Sequence, residues 1–143
     1  GLRARKWRGE GMELTAAVIV NDARQARPIL ESLSRKGFAG IVESAPKAVL
    51  ETCKANPPDL VIVEDRLTGM TGIHFLAELL KVSWTTSAIL ISDEEEEALH
   101  DRTEGLGILG AIRTVDDVKS LDKLLDKFRE IVSPNKSISS VKG

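Results

Sequence analysis

The chain has 143 residues, of which 42% are apolar, 29% charged and only 3% aromatic. This is the size and balance of one ordinary globular domain with an aliphatic core, and it argues against a disordered chain. The single cysteine, Cys53, excludes an internal disulfide, no apolar run is long enough to span a membrane, and a net charge of −2 carried by an acidic body offers no nucleic-acid surface.

Residues 1–11 carry Arg3, Arg5, Lys6 and Arg8 against Glu10 and lack the apolar segment of a secretory signal. They read as a disordered leader or basic arm. A domain over 12–132 follows, then a flexible Ser- and Lys-rich tail over 133–143. Residues 16–20 (AAVIV) form an apolar run without alternation, as a strand buried on both faces requires. Residues 23–36 have helical spacing, with Ala26, Ile29, Leu30 and Leu33 on one face, Pro28 in the first turn and Gly37 closing it. Ile41 and Val42 are a weak strand, and Ser44 is a candidate cap for a helix over Pro46–Ala55 that Pro57 and Pro58 stop.

Residues 60–63 (LVIV) are the clearest buried strand. The turn Thr68-Gly69-Met70-Thr71-Gly72 leads into a helix carrying Ile73, Phe75, Leu76, Leu79 and Leu80. Residues 88–91 (AILI) are strand-like, and the acidic residues 93–97 suit the positive opening of a helix that reaches Glu104. Residues 108–112 are a last strand. Asp116 or Asp117 then caps a helix through Val132, with Val118, Leu121, Leu124, Leu125, Phe128 and Ile131 as its stripe. Strands alternating with helices over short connections predict an α/β domain with a parallel sheet covered on both faces.

In such a sheet, sites form at the carboxyl ends of the strands. Past the first lie Asn21 and Asp22, past the third Glu64, Asp65 and Arg66, past the fourth Ser92 and Asp93, past the fifth Arg113 and Thr114. Carboxylates, a hydroxyl and a cation therefore converge, and such a cluster suits a hard cation such as Mg²⁺. Solvated loop carboxylates are the plainer reading of the same residues.

At Val18-Ile19-Val20-Asn21-Asp22, and from Pro58-Asp59 through Glu64-Asp65-Arg66-Leu67-Thr68-Gly69-Met70-Thr71-Gly72, the sequence resembles response-regulator receiver domains of bacterial two-component systems. The resemblance runs over residues 16–132. It implies a flavodoxin-like, doubly wound five-stranded sheet of order 2-1-3-4-5. It also implies phosphotransfer from a histidine kinase to a strand-end aspartate with Mg²⁺, an acidic pair holding the metal, and a hydroxyl and a lysine contacting the phosphoryl group.

Position by position, the chain departs from that pattern. Asp22 keeps the second carboxylate of the acidic pair, but Asn21 is neutral at the first. Glu64 stands at the phosphoacceptor position, with Asp65 as the alternative, and Arg66 lies beside the metal site. Ser92 matches the hydroxyl. Thr114 falls at the lysine position, with Arg113 as a substitute cation one residue away, and Ala111 falls at the aromatic switch position. The extra methylene of Glu64 displaces its carboxylate by up to about 1.5 Å, and misplacement on the order of 1 Å can cost about a hundredfold in a positioned reaction. A missing lysine removes a charge that would stabilise the transferring group.

The expected function is therefore an atypical, pseudo-receiver-like signalling module. It is cytoplasmic, not an enzyme, and acts by protein–protein contact with a histidine kinase or a downstream effector, without nucleic acid or membrane. Homodimerisation through the face of the fourth helix, fifth strand and fifth helix is carried as a further expectation. Mg²⁺ is the only cofactor that the resemblance suggests, and the departures weigh against it. Glu64 could mimic a phosphorylated aspartate by reaching toward Ser92 and pairing with Arg113. Two alternatives stay open: a working Mg²⁺-dependent phosphoacceptor using Glu64 or Asp65, and a small nucleotide-binding protein or enzyme on the same architecture. The second lacks a Gly-rich phosphate loop and a nucleophile–base pair. His74 and His100 have no partner at metal-ligand spacing. The stretch after the last helix is too short for an output domain, so a stand-alone receiver or a piece of a larger protein is expected.

Overall fold

The computed structural model describes residues 7–8 and 11–132. The expected tail, and most of the expected leader, lie outside the described residues. Across the boundary between leader and domain, Trp7–Arg8 pairs antiparallel with Gly11–Met12.

The domain runs β1 (Leu14–Ile19), a 3₁₀ turn (Ala23–Ala26), α1 (Arg27–Arg35), β2 (Phe38–Glu43), α2 (Pro46–Ala55), β3 (Leu60–Glu64), α3 (Gly72–Val82), β4 (Ser87–Ile91), α4 (Glu96–Thr103), β5 (Gly110–Ile112) and α5 (Val118–Val132). The five strands form one sheet in the order β2-β1-β3-β4-β5, and every neighbouring pair is parallel. This is the doubly wound order 2-1-3-4-5.

The alternation of side chains along each strand builds two cores. Val18, Ile62, Ile89 and Ile112 face Ile29 and Leu33 of α1 and Leu121, Leu125 and Phe128 of α5. Ala17, Ile19, Val61, Val63 and Leu90 face Val49 and Cys53 of α2, Phe75, Leu76 and Leu79 of α3, and Leu99 of α4. The apolar runs lack alternation because both faces are covered: Leu60, Val61, Ile62 and Val63 are all fully buried. Each such side chain contributes about 1.5–3 kcal/mol, so these two layers, not the surface ion pairs, hold the sheet.

Several expectations need correction. The second strand spans Phe38–Glu43, not only Ile41 and Val42, because all six residues pair with β1. Ser44 does not cap α2; the cap position is Ala45, and no side chain bonds there. The last strand is shortened to Gly110–Ile112. Ile131 is 58% exposed and so leaves the buried stripe of α5. Of the two cap candidates for α5, Asp117 serves: its Oδ1 accepts the Ser120 N–H at 3.4 Å.

Candidate functional site

The carboxyl ends of β3, β4 and β5 open onto a cleft of about 220 Å³ lined by Glu64, Asp65, Arg66, Ser92, Arg113 and Thr114, with Gln25 on its rim. The sequence expectation therefore brings together most of its residues. What each side chain does there differs from a metal-and-phosphoryl site.

Asn21, just past β1, is a bridge. Its backbone N–H donates to Glu64 Oε1 at 3.0 Å, and its Nδ2 donates to the Arg66 carbonyl at 2.7 Å. Its Oδ1 accepts the Thr68 N–H at 2.8 Å. The amide thus spends a donor and an acceptor on the β3–α3 loop, and a carboxylate could not do both. Asp22 turns away from the cleft. It caps the 3₁₀ turn through the Arg24 N–H at 3.0 Å and pairs with the Arg24 guanidinium at 3.1 Å. The Arg24 side-chain hydrogen bond, aided by its backbone N–H, holds the Asp22 carboxyl below its ordinary value.

Glu64 and Asp65 point to opposite sides, as successive residues at a strand end do. Glu64 is half-buried and directed to Asn21. It does not reach Ser92 or pair with Arg113, as the phosphomimetic reading expected. Asp65 is only 8% exposed. It accepts Arg102 Nη1 at 3.1 Å, and the Ser92 hydroxyl lies 3.5 Å away. The Glu94 N–H in turn donates to the Ser92 hydroxyl at 3.2 Å, and Arg102 also bonds the Glu94 carboxylate. Gly72 seals this corner. Its N–H donates to the Asp65 carbonyl at 2.7 Å, and a Cβ there would stand 2.6 Å from the Glu64 carbonyl.

Arg66 is largely exposed and only loosely near Asp93, at 3.8 Å. Arg113 donates from Nη2 to the Asp93 carbonyl at 3.2 Å, and its N–H reaches Asp117 Oδ2 at 3.3 Å. Thr114 Oγ1 accepts the Asp116 N–H at 3.3 Å. Ala111, half-buried, packs as a methyl against the second core layer. His74 lies 3.8 Å from Glu78 on its own helix.

A Mg²⁺ ion needs near-octahedral oxygens, usually one or two of them carboxylates. Here Glu64 Oε1 and the Arg66 carbonyl each already accept an N–H of Asn21, and the neutral Asn21 side chain brings no carboxylate. Among the described residues no group of three His, Cys, Asp or Glu side chains could surround a metal. The residues do not fit Mg²⁺ in this arrangement.

Sequence reasoning missed Arg102 and Glu94. The available signal was that a carboxylate pointing inward at Asp65 needs a cation. Arg102 stands three residues after the buried Leu99, one turn further along α4.

No family model matches the chain. Over 112 residues it is 28% identical to a probable transcriptional regulatory protein NarL of Mycobacterium tuberculosis, covering 75% of this chain and 52% of that one. Over 123 residues it is 26% identical to the transcriptional regulatory protein KdpE of the same organism, covering 85% and 53%. The chain thus spans about half the length of the curated relatives it matches. Among solved structures it is similar to a response regulator receiver domain protein from Clostridium thermocellum, at TM-score 0.71 and 16% identity over 87% of this chain and 98% of that one. The receiver domain of the sensor histidine kinase PA1611 from Pseudomonas aeruginosa, which carries magnesium in its active site cleft, matches at TM-score 0.68 and 10% identity, over 81% and 97%.

Proposed function

We propose that this chain, a receiver-type domain of the response-regulator class, relays signals by protein–protein contact without ordinary aspartyl phosphorylation. One observation carries the reading: Asn21 donates its backbone N–H to Glu64 and its side-chain amide to the Arg66 carbonyl, so these oxygens of the acidic pocket already hold internal hydrogen bonds. Two others support it. Glu64 replaces the shorter acceptor carboxylate, and Arg113 is turned to a backbone carbonyl. Asp65 is a poor substitute acceptor, because its carboxylate is buried and ion-paired with Arg102.

The partner in this reading is a histidine kinase or downstream effector that docks on the face of α4, β5 and α5. That face includes residues 98–103, Ala111 and residues 116–123. The test is incubation of the full chain with acetyl phosphate and Mg²⁺, read by intact mass. The expected result is no added phosphoryl group under conditions that load a typical receiver. A phosphoryl adduct mapping to Glu64 or Asp65 would overturn the proposal and restore the phosphoacceptor alternative.

A further inference from the structure

α4 is the weakly seated element of this domain. It has eight residues and buries only Leu99 and Thr103. Past its end, Gly105 and Gly107 both adopt left-handed backbone, at φ 85° and 67°, where the chain can turn without steric cost. Before it lies the acidic loop at Asp93–Glu95, and the cap position, Glu95, makes no side-chain cap bond.

Apolar burial therefore supplies little to hold α4, and one polar contact supplies much. Arg102, in its last turn, reaches back across the cleft to Asp65 at 3.1 Å and to the Glu94 carboxylate. Asp65 is nearly buried and fixed by its backbone, with its N–H on the Ile91 carbonyl at 3.0 Å and its carbonyl holding the Gly72 N–H. The anchor is rigid and the helix is loose. An ion pair that is exposed on both sides contributes little. A pair with one member buried contributes more, because releasing it leaves a desolvated carboxylate.

We infer that the Arg102–Asp65–Glu94 contact is an electrostatic strap that seats α4 on the sheet, and that releasing it frees α4 while the rest of the domain stays folded. The strap does not include Glu64, so it operates whether or not Glu64 is chemically competent. It makes the position of α4 sensitive to anions and to ionic strength. Any anionic group that draws Arg102 away from Asp65 would act as the release.

Hydrogen exchange read by mass spectrometry on the full chain tests this, with Arg102→Met and Arg102→Lys beside the parent. Arg102→Met keeps the apolar stem and removes the charge. It should speed exchange in residues 96–103 by about ten- to a hundredfold, with β1, β3, α1 and α5 unchanged. Arg102→Lys, a point charge without the fork, should fall between the two. In the parent, high salt should speed exchange of α4 alone, and it should do nothing further in Arg102→Met. Unchanged exchange in α4 would overturn the inference. So would faster exchange spread evenly over all helices, since that reports general destabilisation.

Discussion

Asn21→Asp restores the carboxylate that a metal-binding receiver carries at this position, and the structure predicts that it harms the metal-free domain. The change removes the Nδ2 donor to the Arg66 carbonyl, a 2.7 Å bond, at about 0.5–1.5 kcal/mol. It also sets a carboxylate against that carbonyl and beside Glu64. At an exposed position this adds about 1 kcal/mol of repulsion. The Thr68 N–H bond at 2.8 Å is kept and becomes charge-assisted, which returns part of the loss. The net is about 1–2 kcal/mol of destabilisation in chelator. Urea unfolding reads it as a midpoint lowered by about 0.3–2 M, using a slope of about 1–3 kcal/mol per molar. Mg²⁺ should recover stability in this variant and leave the parent unmoved, because only the variant sets a second carboxylate beside Glu64. Asn21→Asp as stable as the parent in chelator would refute the bridge.

Further outcomes follow from four single positions. Gly72→Ala places a Cβ 2.6 Å from the Glu64 carbonyl and 2.8 Å from Asp65 Cα, so it should cost about 3 kcal/mol; Gly69→Ala, at φ 85° with open space around it, should cost only about 1–2 kcal/mol. Cys53 is buried at 1% exposure, and burial pushes its thiol up to about 11; a thiol reagent at mildly alkaline pH should label the chain at its unfolding rate, and rapid native labelling would contradict this. Burial raises the Asp117 carboxyl, but the N–H groups of Arg113 and Ser120 together with the Ser120 side chain outweigh it and leave it lowered. Because the folded value lies below the unfolded one, its stabilisation is present above the ordinary carboxylate value, about 3.9, and is lost as pH falls through the folded value. Asp117→Asn should flatten that part of the urea-midpoint profile and leave its neutral-pH slope alone.

What the sequence made legible was the apolar layering. The strands at β1, β3 and β4 are aliphatic runs covered on both faces, and such runs show without any tertiary knowledge. β2 was half hidden because Ala39 and Gly40 have weak strand propensity; only its pairing with β1 makes them a strand. Ile131 fits the helical spacing of α5 but is exposed, while its neighbour Val132 packs against the core. At the site, strand ends and the motif spacing placed Glu64, Ser92, Thr114 and Arg113 around one cleft. The roles of Asn21 and Arg102 were not legible. Both depend on where loops distant in sequence come to rest: Asn21 meets Arg66 and Thr68, and Arg102 meets Asp65 from 37 residues away.

The central claim is that the carboxylates of the strand-end pocket are held by internal hydrogen bonds and ion pairs and that the pocket does not respond to a phosphoryl group. An amide NMR titration of the full chain with Mg²⁺, then with beryllofluoride as a phosphoryl mimic, tests it most directly. The account predicts no saturable shifts at Asp22, Glu64, Asp65 or Ser92 at millimolar metal, and none after the mimic. Saturable shifts at those residues that spread to β5 would show a working switch and contradict it.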